Sequence, residues 1–230
     1  MSIVNVSLPD GFVYLEQIDP TIHQEVMYYG ERNFIGERIN GYKAPRVILT
    51  EKAALRLKQI QDDIRNDNYS LVIYDGYRPQ KSLDHFVRWR DSTDEKMKQF
   101  YYPNLSKKET FNIGYVTPTS SHSRGSTVDC TIIELGKTVD PDPIAIKREL
   151  SDGRSIYYWQ DNTVDMCSSV DLFDPVSWHD CTLIDNLYLE RRNYLRQKMA
   201  KYNFGAFQLE WWHYTLTDEP STEHFNFDVE

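Results

Sequence analysis

Two short polar motifs, far apart in the chain, constrain this fold more than any other feature. The first contains His122 and Asp129, and the second contains Glu210 and His213. Two imidazoles and one carboxylate form a three-ligand set for zinc that leaves a fourth position for water, and a further carboxylate supplies a general base. The fold is therefore expected to bring the two motifs together around one metal ion.

The residues after His122 predict how the first motif is delivered. Residues 127–132 alternate as in a strand, with Val128, Cys130 and Ile132 on the apolar face and Asp129 on the other. The preceding Ser-His-Ser-Arg-Gly sequence is turn-forming. We expect His122 on a loop that enters the strand and Cys130 as a buried thiol.

The second motif requires a bend. Glu210 and His213 are three residues apart, so a straight strand would place them on opposite faces. We expect Glu210 in a loop and His213 in the first residues of a strand through Leu216. The carboxylate would then overhang the metal without binding it, which suits a general base.

A third segment, Asp75-Gly76-Tyr77-Arg78-Pro79, turns out of a strand that ends at Tyr74. Its functional interpretation is a fixed Arg78 guanidinium that stabilises an oxyanion. The alternative is a surface arginine paired with Asp75 or Asp84.

Structural alternatives also exist for the other motifs. A lone histidine is more often a surface or core residue than a ligand, and we interpret His23, His85, His179 and His224 in that way. The second motif alone is typical of a buried aromatic strand. The presence of both motifs favours the metal site, because buried carboxylates need a metal or a cation.

The three motifs resemble those of the D-alanyl-D-alanine dipeptidases associated with vancomycin resistance, within a zinc D,D-peptidase group akin to the hedgehog signalling domain. The resemblance covers nearly the whole chain. The family pattern Ser-x-His-x-x-Gly-x-Ala-x-Asp corresponds to residues 120–129, and Glu-x-x-His corresponds to residues 210–213. Thr127 replaces the usual alanine and adds a hydroxyl near the ligands.

The resemblance implies one zinc ion per chain and a role for each matching residue. The implied zinc ligands are His122, Asp129 and His213, and the implied catalytic residues are Glu210 as base and Arg78 as transition-state stabiliser. The implied substrate-binding residues are Ser120, Tyr28 and Asp171, of which the last two would engage the free amino group of the dipeptide. The implied reaction is zinc-dependent hydrolysis of D-alanyl-D-alanine to two D-alanines.

The order of elements predicts an α+β fold and one domain over residues 1–230. Helices are expected from Glu51 after an N-cap at Thr50, from Pro79, and from about Leu183 to Tyr202, the last with Leu187, Leu195 and Met199 inside. The resemblance implies a small, mostly antiparallel sheet flanked by helices, as in the hedgehog and D,D-peptidase fold. Residues near 136–162 are predicted to form a surface insertion.

Composition limits the partners. A net charge of −9 over 230 residues disfavours nucleic acid and anionic membranes. Three cysteines without metal-type spacing imply no disulfide framework. The N-terminus shows no signal peptide, and the chain has no apolar run long enough to span a bilayer, so the bacterial cytosol is expected.

Two other functions remain open. A D,D-carboxypeptidase or peptidoglycan endopeptidase would use the same metal centre, but it needs an open groove and export. A non-catalytic zinc-stabilised binding domain would keep the ligands without needing Glu210 and Arg78.

Overall fold

The structure is a computed structural model that describes residues 8–230. Residues 1–7, which carry part of the expectation of no signal peptide, lie outside the described residues. The helices are α1 (Leu15–Ile18), α2 (Glu51–Arg65), α3 (Gln80–Arg90), α4 (Lys98–Tyr101), α5 (Lys107–Ile113) and α6 (Asn186–Lys201). The strands are β1 (Phe12–Tyr14), β2 (His23–Gln24), β3 (Ile48–Thr50), β4 (Tyr69–Asp75), β5 (Thr127–Glu134), β6 (Ile144–Glu149), β7 (Ser155–Gln160), β8 (Phe204–Ala206) and β9 (His213–Leu216).

The central sheet has five strands in the order β2-β4-β5-β9-β8. Only β2 and β4 run parallel, and the other neighbours are antiparallel. The expected α+β class with a mostly antiparallel sheet is confirmed. Asp75 is in register with Asp129, and Asp129 is in register with His213, so three adjacent strands present these side chains in one row.

Local sequence explains where α2 begins and which face it buries. The hydroxyl of Thr50 accepts a hydrogen bond from the Ala53 amide, as predicted for an N-cap. Leu57, Ile60 and Ile64 are fully buried on one face, which packs against β4 and β3. These apolar contacts fix the helix against the sheet that carries the polar row.

Helix α6 corrects one detail of the sequence analysis. Leu195 and Met199 are buried as predicted, but Leu187 is 52% exposed. Successive helical residues turn by about 100°, so Leu187 is rotated by roughly 120° from Met199 and leaves the buried face. The prediction that Leu187 lies inside was wrong.

Apart from the central sheet, β1 pairs with β3 and the antiparallel hairpin of β6 and β7 forms a separate two-stranded sheet. It lies within residues 136–162, where the sequence predicts a surface insertion, and that insertion stays a prediction. Within residues 8–230, no helix combines the length and apolar character that crossing a bilayer requires. Cys130, Cys167 and Cys181 are free and buried thiols.

A buried guanidinium organises the segment that precedes α6. Arg192 is fully buried and donates hydrogen bonds to the carbonyl oxygens of Met166, Val176 and Trp178 at 2.6–2.9 Å. Burial lowers the pKa of Arg192 to about 10, so the group remains charged near neutral pH. Main-chain carbonyls thus compensate a buried charge and hold residues 166–178 in place.

The same segment is tied to the second sequence motif. Ser168 Oγ accepts a hydrogen bond from the indole of Trp211 at 2.9 Å and one from Arg192 at 3.3 Å. Asp171, three residues further on, has a left-handed backbone with φ of 62°. The loop carrying Asp171 and the turn carrying Glu210 therefore share one anchor.

Candidate metal centre

Three elements deliver the predicted ligands to one point. His122 lies in the 3-10 turn Ser121–Arg124, Asp129 lies on β5, and His213 is the first residue of β9. A ligand atom from each residue falls within 4.8 Å of the other two. The predicted delivery of His122 by a loop and of His213 by a strand start is confirmed.

The spacing of these atoms fits a zinc ion. His122 Nε2 lies 3.3 Å from His213 Nδ1, and each of these nitrogens lies 3.2 Å from an oxygen of Asp129. A tetrahedral ion with bonds of about 2.0 Å has ligand atoms about 3.3 Å apart. Among residues 8–230, Asp129 Oδ1 is buried without a hydrogen-bond partner. A cation is the partner that such an oxygen lacks.

Hydrogen bonds set the orientation of His122. Its Nδ1 lies 2.7 Å from the carbonyl oxygen of Gly76, which can only accept, so Nδ1 carries the proton and Nε2 keeps a lone pair. Gly125 closes the turn with φ of 83°, and a Cβ there would lie 2.3 Å from a ring carbon of Phe12. This close approach requires glycine.

Hydroxyl groups form a path to the other imidazole. Thr127 Oγ1 lies 2.9 Å from Thr215 Oγ1, which lies 3.4 Å from Ser121 Oγ. Ser121 Oγ is 3.5 Å from His213 Nε2. Thr127, the departure from the family pattern, is thus connected to a ligand through two other hydroxyls.

The ionisation of the ligands favours metal binding. Burial lowers the pKa of His213, which keeps its imidazole neutral. Burial alone would raise the pKa of Asp129, but His122 and His213 lower it overall and keep the carboxylate ionised. Neutral imidazole and ionised carboxylate are the forms that bind zinc.

Glu210 lies in the turn before β9 and is 6% exposed. Its Oε2 is 3.5 Å from His213 Nδ1. Burial, and then the charges of Asp129 and Asp171, raise the pKa of Glu210 well above its ordinary value. A carboxyl group with a high proton affinity beside the ligands suits a general base.

Arg78 is held by two carboxylates at the end of β4. Its Nε donates to Asp75 Oδ2 at 2.8 Å, and its Nη2 donates to Asp129 Oδ2 at 3.1 Å. The surface interpretation of Arg78 predicts two possible carboxylate partners. The structure shows Arg78 paired with one of them, Asp75, but this ion pair is buried. Tyr42 Oη in turn donates to Asp75 Oδ1 at 2.6 Å. Arg78 is therefore fixed beside the ligand set.

Tyr42 is not among the predicted site residues, and Asp75 is predicted only as a surface partner of Arg78, not as part of the buried site. Asp75 stands in the same short motif as Arg78, and its position directly before the turn was a usable signal. Tyr42 lies in an irregular region and gave no local signal, because only the tertiary fold brings it to Asp75.

The remaining predicted residues line the same pocket. Tyr28 Oη donates to Asp171 Oδ2 at 2.6 Å, although the two residues are far apart in the chain. Burial, and then the charge of Asp129, raise the pKa of Asp171 to about 7. Ser120 lines another part of the pocket, whose empty volume is about 740 Å³ including solvent at its mouth.

The charges of the pocket are unbalanced without a metal. Asp75, Asp129, Asp171 and Glu210 are all at most 6% exposed. Arg78 is the one Lys or Arg side chain within the described range that forms an ion pair with any of them. A dication restores most of the missing positive charge, so the residues fit a zinc ion.

Several known proteins are similar to this chain in sequence. The family model described as D-ala-D-ala dipeptidase, Peptidase M15, matches residues 9–141 and 155–230. D-alanyl-D-alanine dipeptidase of Enterococcus faecalis is 33% identical over 96% of this chain and 100% of its own length. The Streptomyces coelicolor protein of the same name is 32% identical over 95% of this chain and 98% of its own length.

A solved structure is among the further matches. It is a crystal structure of a mutant vancomycin resistance D,D-pentapeptidase VanY, from a VanB-type resistance cassette, in complex with Zn(II). The TM-score is 0.36 and the identity is 13%, over 77% of this chain and 75% of that chain.

Proposed function

This chain belongs to the D-Ala-D-Ala dipeptidase family, and on that premise we propose that its metal pocket hydrolyses D-alanyl-D-alanine with His122, Asp129 and His213 as the ligands of one zinc ion. The observation that carries this assignment is the ligand triangle with its unpartnered Asp129 oxygen. When bound, zinc supplies a Lewis acid that polarises the scissile carbonyl and acidifies water.

Glu210 is the proposed general base. It accepts a proton from the attacking water and returns it to the departing amine. Its buried carboxylate opens onto the same pocket as Asp129 and His213. Burial, and then the surrounding negative charge, raise the pKa of Glu210 and so increase its affinity for that proton.

Arg78 is proposed to bind the carbonyl oxygen as negative charge develops on it. Its guanidinium lies 4.9 Å from the ring centre of Tyr28 and 5.5 Å from that of Phe86. Asp75 and Asp129 hold it in one orientation. A donor that is already oriented stabilises the transition state without reorganisation.

Recognition of both substrate ends selects a dipeptide. Asp171, positioned by Tyr28, is proposed to bind the ammonium group, and Ser120 is proposed to bind the carboxylate end. A longer peptide would place an amide against Asp171 and leave a buried charge unpaired. This argues for the dipeptide over the carboxypeptidase and endopeptidase alternatives.

The test is release of alanine from D-Ala-D-Ala by the purified zinc-loaded protein. Controls are L-Ala-L-Ala, a D-Ala tripeptide and a chelator arm. Cleavage of the D,D-dipeptide alone, lost with the chelator and restored by zinc, is the expected result. Equal cleavage of the tripeptide would favour a carboxypeptidase, and no cleavage of any peptide would favour the binding-domain alternative.

The proposal also covers the number of zinc ions per chain and the cellular location of the enzyme. One zinc ion per chain is expected by elemental analysis, with little zinc retained in His122→Ala. We also place the enzyme in the bacterial cytosol, where free D-Ala-D-Ala would be met before it is joined to a cell-wall precursor. Cell fractionation with an antibody to the protein tests that location.

A further inference from the structure

A second cavity lies behind the catalytic pocket, and we call it the rear cavity. Its volume is about 50 Å³, counted as space open to the centres of water-sized molecules, within about 500 Å³ of empty space that includes open solvent. Five aromatic residues line it, namely Tyr74, Tyr101, Tyr158, Trp159 and Trp211. Strand β7 of the separate hairpin supplies two of these rings.

The rear cavity and the catalytic pocket share a wall. Met27, Val170 and Trp211 line the rear cavity. The residues next to them in the chain, Tyr28, Asp171 and Glu210, line the catalytic pocket. At each of these three positions, one residue faces the rear cavity and its neighbour in the chain faces the catalytic pocket. The rear cavity and the catalytic pocket are therefore distinct.

The polar groups of the rear cavity carry an excess of negative charge. Glu25, Asp161 and Arg32 line it, and Arg32 lies 3.5 Å from Glu25. Asp161 is 8% exposed and accepts hydrogen bonds from the hydroxyls of Tyr74 and Thr163. Throughout residues 8–230, no Lys, Arg or His nitrogen comes within 4.0 Å of its carboxylate.

A carboxylate buried with only neutral donors is costly unless a cation compensates it. Aromatic faces attract organic cations within about 6 Å of the ring centre. We propose that the rear cavity is a second ligand site, which binds a small organic cation with its ammonium group at Asp161 and its apolar body between the aromatic rings. This site is independent of the metal and of the dipeptide.

Tryptophan indole N–H resonances of the ¹⁵N-labelled, zinc-loaded protein provide the test. The probe is ethylammonium chloride, with sodium chloride and ethanol as controls for ionic strength and apolar contact. We expect saturable shifts at Trp159 and Trp211, whereas Trp178, which does not line the cavity, stays unchanged. For a ligand with three non-hydrogen atoms, a Kd of about 1 mM is near the tightest attainable.

Two variants separate the rear cavity from the catalytic pocket. Asp161→Asn should weaken ethylammonium binding at least tenfold, whereas Asp171→Asn should leave it unchanged. Loss of binding in Asp171→Asn would place the cation in the catalytic pocket and overturn the proposal. So would an absence of saturable shifts up to 100-fold above the expected Kd, or unchanged binding in Asp161→Asn.

A third variant covers the case in which Asp161→Asn does not fold. Val164 lines the rear cavity and is partly buried, so Val164→Phe adds a ring that takes up its space. Binding should disappear while D-Ala-D-Ala turnover and the dispersion of the indole resonances are retained. Full binding in this folded variant would contradict the assignment.

Discussion

Arg78 Nη2 donates a hydrogen bond to Oδ2 of Asp129 across 3.1 Å. The other oxygen of Asp129 is the one left without a partner. One carboxylate therefore orients the guanidinium with one oxygen and leaves the other available for a metal, so the proposed oxyanion donor and the proposed ligand set form one rigid unit.

This arrangement predicts the effect of Arg78→Lys. An ammonium group cannot bond Asp75 and Asp129 in the fork geometry of a guanidinium, so the donor loses its orientation. We expect kcat for D-Ala-D-Ala to fall by about 10²- to 10³-fold while zinc content stays near that of the wild type. Arg90→Lys, at the end of α3, is the matched control and should leave both kcat and zinc content unchanged. Wild-type turnover in Arg78→Lys would remove Arg78 from the mechanism.

Glu210→Gln should separate metal binding from turnover. The amide keeps the size of the side chain but cannot take a proton, so kcat should fall by about 10²- to 10⁴-fold. Elemental analysis should still find zinc, because Glu210 is not in the ligand set. Glu223→Gln, at an exposed position, should leave both quantities unchanged. Loss of zinc in Glu210→Gln would instead make this residue a ligand.

The hydroxyl path predicts graded effects on zinc affinity. Ser121→Ala removes the group nearest to His213 Nε2 and should weaken zinc binding by about 10- to 100-fold. Thr127→Ala restores the residue usual in the family and acts through two further hydroxyls, so its effect should be smaller. Competition with a chromogenic chelator measures both. Equal losses would show that the path does not transmit orientation.

Buried His179 predicts a pH-dependent stability. Burial lowers its pKa to about 4 from 6.5, and both ring nitrogens lack hydrogen-bond partners within residues 8–230. Between pH 6.5 and pH 4, His179 binds a proton in the unfolded chain but not in the folded protein. The free energy of unfolding therefore falls as the pH decreases through this range. At pH 5, protonation of His179 in the unfolded chain should lower the free energy of unfolding by up to about 2 kcal/mol.

Urea unfolding of the wild type and of His179→Phe at pH 7 and pH 5 checks this prediction. The variant lacks the titrating group, so its free energy of unfolding should decrease less between the two pH values. Comparison of the two proteins cancels the contribution of the zinc ligands, which both retain. Parallel decreases would mean that His179 titrates normally in the folded protein.

Much of the site follows from local sequence. His122 and Asp129 are close in the chain, and strand alternation directs Asp129 away from the apolar face. The bend required between Glu210 and His213 correctly predicts a loop followed by a strand start. These predictions succeed because each depends on the geometry of a few consecutive residues.

Other contacts had no local signal. Tyr28 and Asp171 meet across 143 residues of sequence, and the left-handed backbone of Asp171 occurs in an aspartate rather than a glycine. The exposure of Leu187 depends on the rotation of α6 against the sheet. The rear cavity also arises only where β7 meets residues of distant segments. Tertiary packing decides such features, so periodicity cannot predict them.

The anchoring of residues 166–178 by Arg192 has a consequence for how relatives can diverge. The guanidinium binds main-chain carbonyl oxygens, which every amino acid possesses. Side chains of this loop that make no anchoring hydrogen bond can therefore be exchanged during evolution without loss of its path, as long as Arg192 and the Ser168 hydroxyl remain. The proposed selectivity of Asp171 for the amino end of the substrate could then change while the candidate metal centre is left intact.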